Sequence, residues 1–455
     1  MFSSFYILLL LVSVNLAIEL PSEPNLPTSV CAQLNAELVE QPLGYLPSSA
    51  ESTPDTKRIQ DALDQCGNGE AVKLVKGKGN AFLSGPINLP SYVTLWIDAG
   101  VTLFASRNPR DYDREANACG VLSDNNVGCL PLIGVINGTS NAIVGDGIID
   151  GRGGQTMIGY NKTWWELGLE AKYSNTDRTA PFLVGVENCN NFVLYRIRLQ
   201  NGPFWHFVTH AVDGMTVWGV KVDTPSKAYP KDTDAHNTDG FDPTGKNMVF
   251  TQCYIHSGDD NIAIKAMKSA VANVLIQDNY FYGGHGMSIG SEINEGAVNV
   301  TVKNLYINGA QNGIRIKSDI SKGGNVHGIY YDNVCINNTD VPLAFDTYYS
   351  NKPGSRIPTF HDIHLSNIHI LSSEHRYATF RGYNEDFPLK ISLDNVVSDV
   401  VLKHLITSNA EITVGPGLVS GIPLKADKSK NVKIIGKAGE STPVDCSRGF
   451  VPFPE

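Results

Sequence analysis

Residues 300–307 read VTVKNLYI: an alternating apolar run, a polar Lys-Asn pair, then a second short apolar run. The same pattern stands at 274–281 (VLIQDNYF) and 329–336 (IYYDNVCI). It recurs as NFVLYRIRL, MTVWGVKV and MVFTQCYI upstream and as DIHLSNIHI and ISLDNVVS downstream. Aligned on the polar bend, the units fall at Arg196, Gly219, Cys253, Asn279, Asn304, Asn333, Asn367 and Asn395, in steps of roughly 23 to 34 residues. Short β-branched strands repeating at that period, from about residue 91 onward, predict an all-β, single-domain, right-handed parallel β-helix. Asn at successive bends can stack as a ladder from coil to coil. A β-sandwich would instead show hairpin turns and strict alternation. Helix is scarce: TKRIQDALDQC predicts a short N-terminal capping helix over Thr56 to Asp64, covering the open end of the core. A second short helix is expected in TWWELGLEAKY.

The first 23 residues, MFSSFYILLLLVSVNLAIELPSE, carry an apolar run too short to span a bilayer. They predict a secretory signal peptide, residues 1–17, ahead of a β-helix domain over residues 18–455, and hence a secreted, extracellular protein. Formal net charge is -10 over 455 residues. That excess of acid argues against nucleic acid and against an anionic membrane surface. Among eight cysteines, Cys31 with Cys66 and Cys119 with Cys129 are disulfide candidates in an oxidising compartment. Cys253 and Cys335 sit in apolar strand patterns and read as buried free thiols. No Cys-x-x-Cys or compact Cys/His cluster suggests zinc. Sequons at Asn137, Asn161, Asn299 and Asn337 are glycosylation candidates in a eukaryotic host.

Two polar turns, AHNTDGFDP from Ala235 and SGDDNIAIK from Ser257, hold Asp239, Asp259 and Asp260. Adjacent coils lie about 4.8 Å apart, so residues one repeat apart sit over one another. Asp239 to Asp259 is 20 residues, Asp260 to His285 is 25 and His285 to Arg315 is 30, each close to one coil. NTDG, GDD, GHG and RIK should therefore form adjacent rungs of one groove. Arg315 and Lys317, two apart on a strand, point to the same side. Clustered carboxylates raise at least one pKa, which supplies an acid and a base together, as inverting glycoside hydrolysis requires. The neighbouring cations suit an anionic sugar. A calcium site is the competing use of clustered carboxylates.

These four motifs, in this order and spacing, resemble the polygalacturonases of glycoside hydrolase family 28, and the likeness extends over nearly the whole mature chain. FLSGPINLPSYVTLWIDAGVTLFAS, IDGRGG and VPLAFDTYYSNKPGSRIP belong to it, while GHGMSIGSE and NGIRIKSD are closest to bacterial-type endo-enzymes. The resemblance implies that Asp259 is the general acid, that Asp239 and Asp260 hold and activate the attacking water, and that His285 supports the acid. It implies that Asn237 orients the first turn, and that Arg315, Lys317 and Tyr349 contact the substrate. The expected activity is hydrolysis of α-1,4-galacturonosidic bonds in polygalacturonate, with no cofactor and no metal, by a monomer, at an optimum of roughly pH 4 to 6. Two segments, SKAYPKDTDA and TWWELGLEAK, depart from the close relatives and lie beside the groove. If they closed one end, the enzyme would release sugars from chain ends. A calcium-dependent pectate lyase and an inactive pectin-binding homologue would use the same scaffold. The histidine rung and the acid pair argue against the lyase, and the presence of all three aspartates against the inactive homologue.

Overall fold

A computed structural model describes residues 18–123, 128–230, 232–350 and 352–455; the expected signal peptide, 1–17, lies outside the described residues. The chain winds as a parallel β-helix. Every pairing between its named strands is parallel, and two long sheets run the length of the stack. The coils begin earlier than the repeat at residue 91: Val30–Asn35 pairs with Ala71–Val75, which pairs with Thr94–Ile97. They end at Val432–Gly436. Helix α1, Thr56–Gln65, buries Ile59 and Leu63 over the first coils, as the cap should. Helix α2, Trp164–Ser174, starts with a capping box in which Thr163 Oγ1 accepts from the Glu166 amide and Glu166 Oε2 accepts from the Thr163 amide. Among the described residues, no helix is long and apolar enough to cross a membrane.

The repeat bends the strands by one residue in the left-handed region. Arg196, Gly219, Asn304, Asn333, Asn367 and Asn395 occupy it, as aligned. In two repeats the bend lies one residue earlier than expected, at Gln252 and Asp278 rather than Cys253 and Asn279. The reason is packing. Cys253 is wholly buried, and Asn279 is turned inward to receive the Cys253 amide on its Oδ1. The polar residue just before each takes the exposed corner. The ladder forms: Asn333 donates to Asn304, and Asn304 to Asp278, each at 2.7 Å. A second ladder runs along another corner, from Asn299 to Asn273 at 2.8 Å and from Asn273 to Asn247 at 3.0 Å.

Five short strands of the second sheet carry the groove: β1 (Phe241–Asp242), β2 (Ile262–Ile264), β3 (Met287–Gly290), β4 (Asn312–Lys317) and β5 (Val341–Asp346). Their inward residues Ile264, Ile289, Ile316 and Phe345 are fully buried and stack in register. Outward residues of the same strands form the groove floor, so core packing fixes the spacing of the groups above it.

Disulfides join Cys31 to Cys66 and Cys119 to Cys129, as expected. Cys253 is a buried free thiol, and so is Cys189. Cys335 is not free: it bonds Cys446, 111 residues on, and so ties the C-terminal segment to the stack. That segment lies over exposed-face tyrosines, with Tyr282 donating to the Val451 carbonyl and Phe450 packed on Tyr306. Of the four sequons, Asn137 and Asn161 are exposed, whereas Asn299 and Asn337 each spend a side-chain N–H on a ladder neighbour.

Candidate active site

Phe241 pairs with Ile262, and Ile262 with Met287, so counting back two residues sets Asp239, Asp260 and His285 in one row across three coils. Asp259 projects beside them. The four groups line one open cleft of about 640 Å³, together with Asn237, Lys317 and Tyr349. The expected motifs meet.

Local backbone demands explain the residue types. Asn237 has φ 55°, a left-handed turn that Asn tolerates better than most residues. At Gly284, φ is 67° and an added Cβ would stand 2.6 Å from the Asp259 carbonyl oxygen, so the GHG turn needs its glycine to lie close against the GDD turn. The His285 amide donates to that same carbonyl at 2.8 Å.

Each carboxylate has a different surrounding. Asp259 Oδ1 faces His285 Nδ1 at 2.9 Å and accepts from the Asp260 amide at 2.8 Å, while His236 Nδ1 stands 3.8 Å from its other oxygen. Burial alone would push Asp259 up; the His285 bond and the charges of His285, Lys317 and His236 outweigh it and hold it below the usual carboxylate range. Asp260 is also buried, but Arg315 Nη2, Lys317 Nζ at 2.9 Å and Ser288 Oγ at 2.9 Å all reach it, and the two cations keep it low. Asp239 differs. It is 3% exposed, its Oδ1 has no hydrogen-bond partner, and burial together with Asp242 and Asp259 holds it well above the usual range against the opposing charge of Lys265. The three carboxyls thus titrate apart, Asp239 holding its proton to higher pH than Asp259 and Asp260.

Arg315 and Lys317 lie where the RIK strand predicts, outward on β4. Neither is free: both are paired with Asp260, and Lys317 Nζ also sits 4.9 Å from the centre of the Tyr349 ring. Tyr349 faces the cleft; Tyr348 turns away to stack on Tyr383. Asn237 Oδ1 accepts from Arg178 Nη1 at 3.0 Å.

Several groups escaped the sequence reading. Lys265 directly follows β2, whereas Lys317 ends β4, and the pair of strings IAIK (262–265) and IRIK (314–317) was the available signal. Lys265 is 5% exposed, 3.2 Å from Glu292 and 3.6 Å from Asp242. Its neighbours Glu292, Asp242 and Asp239 hold it charged in spite of burial. Both oxygens of Asp242 are buried without a hydrogen-bond partner, and burial pushes that carboxyl up to about 7 despite Lys265. Arg178, which lies outside the repeat, left no signal at all.

One oxygen or nitrogen each of Asp259, Asp260 and His285 lies within 4.8 Å of the others, so the three could ligate a cation. The donor set fits poorly, because Asp260 already bonds two cationic side chains that would repel a third positive charge. The two departing segments meet each other on one side of the cleft: the Trp165 and Tyr229 rings are 4.8 Å apart, and Lys172 is 3.8 Å from Asp234. Ala171, Lys172 and Asn175 form part of the wall. On the other side the floor runs on past Lys317 to Asp346 and Arg381 in the following coils.

A family model described as glycosyl hydrolases family 28 matches residues 66–408. A protein named polygalacturonase from Ralstonia solanacearum is 40% identical, with 95% of this chain and 92% of that protein covered. One named endo-polygalacturonase from Pectobacterium carotovorum is 40% identical over 82% of this chain and 88% of its own. The solved structure titled polygalacturonase from Erwinia carotovora superposes with a TM-score of 0.72 at 35% identity, covering 94% of this chain and 98% of that one.

Proposed function

The chain belongs to the glycosyl hydrolases of family 28, and on that premise we infer that its cleft hydrolyses the α-1,4 bonds between galacturonate units of pectin. It is a polygalacturonase, and it cuts within the polymer. The observation that carries the chemistry is the split within the cluster: Asp239 held up, Asp259 and Asp260 held down, with two cations beside them. General acid–base cleavage needs one group that gives a proton and one that takes it.

In the mechanism we propose, Asp259 gives its proton to the glycosidic oxygen as the bond to the anomeric carbon breaks. A carboxylate held so low carries no proton alone. The proton is supplied through its 2.9 Å contact with His285 Nδ1. Water attacks the opposite face of the sugar, and its proton passes to Asp239 in its ionised form. The raised Asp239 is the stronger base of the two remaining carboxylates; Asp260, committed to Arg315 and Lys317, orients the water. Products are two shortened chains, one with an inverted reducing end. Tyr349 and the exposed edges of Arg315 and Lys317 face the sugar carboxylate. We place this activity outside the cell, performed by a single chain. Three disulfides support the oxidising compartment.

The deciding experiment incubates the protein with de-esterified polygalacturonate in the presence of a chelator, following viscosity, reducing ends and absorbance of unsaturated ends. Viscosity should fall well before reducing ends accumulate, without ultraviolet absorbance. Unsaturated products that disappear with the chelator would mean a lyase, and galacturonate monomer as the sole early product would mean attack at chain ends.

A further inference from the structure

Arg178 is 5% exposed, and its guanidinium stands behind the wall of the cleft rather than in it. Nη1 donates to Asn237 Oδ1 at 3.0 Å and Nη2 to the His236 carbonyl at 2.9 Å, so both bonds end on the turn that leads to Asp239. The group lies 4.6 Å from the centre of the Phe204 ring, and its Nε–H is buried without a partner. A lysine ammonium would have to serve both acceptors from one nitrogen, whereas the planar fork presents a separate, fixed N–H to each. The carboxylates facing the guanidinium are Asp259, Asp239 and Asp177. Those and other charges face the turn as well: Asp242, Asp260 and Lys265 lie toward Asp239, and Lys172 and Asp234 toward His236.

Arg178 is delivered from outside the repeat. The residues around it pair with the loop that Cys119–Cys129 closes: the Thr179 amide donates to the Val121 carbonyl, the Ser123 amide to the Asp177 carbonyl, and Thr179 Oγ1 to the Ala118 carbonyl. On the other side α2 leaves room for it. An added Cβ at Gly168 would lie 2.7 Å from the guanidinium carbon.

We propose that Arg178 is a positioning residue for the hydrolytic reaction. It fixes the His236–Asn237 turn, and hence Asp239 two residues on, and it supplies a positive charge that makes the catalytic aspartates easier to ionise. The proposal rests on the hydrolase reading above. Its place matters because a displacement of about 1 Å in a reacting group costs on the order of 10²-fold in rate.

The test compares the parent with Arg178→Gln and Arg178→Lys on de-esterified polygalacturonate, measuring kcat, KM and the pH–rate profile, with thermal unfolding to establish that each is folded. A parent that does not cleave the polymer refutes the hydrolase reading before any variant is considered. With an active parent, Arg178→Gln should lower kcat and kcat/KM together by about 10²-fold, because the loss falls on the reacting geometry and not on substrate binding. Its acidic limb should move to higher pH, since losing a cation disfavours the ionised carboxylate. Arg178→Lys keeps the charge and loses the fork: kcat should stay low while the limb returns to the parent's position. Parental kcat in either variant overturns the proposal, as does a rise in KM alone. An unmoved limb in Arg178→Gln overturns the electrostatic half. If Arg178→Gln does not fold, Arg178→Lys decides the matter by its kcat.

Discussion

Asp239, Asp259 and Asp260, brought together from neighbouring coils, differ because of what each one touches. Asp259 touches a histidine, Asp260 two cations, and Asp239 no hydrogen-bond donor at its Oδ1. Asp259→Asn should keep the fold, since the amide fills the same volume, and should lower turnover by about 10²–10⁴-fold, the usual share of general acid catalysis. Near-parental turnover on polygalacturonate would remove Asp259 from that role. Asp242 supports a prediction about stability. Its folded pKa, about 7, lies above the value of about 3.9 expected in the unfolded chain. Between those values the folded state holds more protons than the unfolded one, so stability falls as pH rises from roughly 4 to 7 and levels off above. Asp242→Asn removes that term. Unfolding temperatures of parent and variant, measured at roughly pH 4.5 and 7.5, should show the variant gaining on the parent at the higher pH. A variant as pH-dependent as the parent would mean that Asp242 is ionised in the folded protein throughout. The catalytic residues were legible because each is about one coil from the next, and the period was visible in strings such as VTVKNLYI. Arg178 was not, because it precedes Asn237 by 59 residues on a loop that belongs to no repeat.

A single strand with its bend is the element of this fold, and its corner residue obeys steric rules that sequence states clearly. Asn333 and Asn304 are where the ladder needs them. Cys253 and Asn279 misled the alignment because they are the residues after the corner, pointing inward. Cys335 was misread for a different reason: an apolar strand pattern marks burial but cannot show that a partner arrives from beyond the last repeat. The ladders also bear on modification. Glycosylation needs the side-chain nitrogen of Asn, and at Asn299 and Asn337 an N–H of that nitrogen is given to the next coil. Expressed in a eukaryotic secretory host, the protein should carry glycans at Asn137 and Asn161, with Asn299 and Asn337 little used. Mass mapping of peptides after enzymatic deglycosylation would show it, and high occupancy at Asn299 would mean the sequon is modified before its coil is laid down.

At the scale of the whole molecule, the strands pair with strands of adjoining coils, as repeat stacks do. The reacting groups come from consecutive coils, β1 to β5 and the turns before and after them, and nothing in that set depends on how many coils stand above or below. Length and chemistry are therefore separable in this architecture. Duplicating one coil beyond β5 would lengthen the groove by about 4.8 Å and add a place for more polymer, with the aspartates undisturbed. The same duplication between β2 and β4 would carry Arg315 and Lys317 one storey away from Asp260 and end the reaction. Descendants of this gene can thus change how much of a polysaccharide they grip by gaining or losing whole coils at either end, while the few coils between are held to a fixed count.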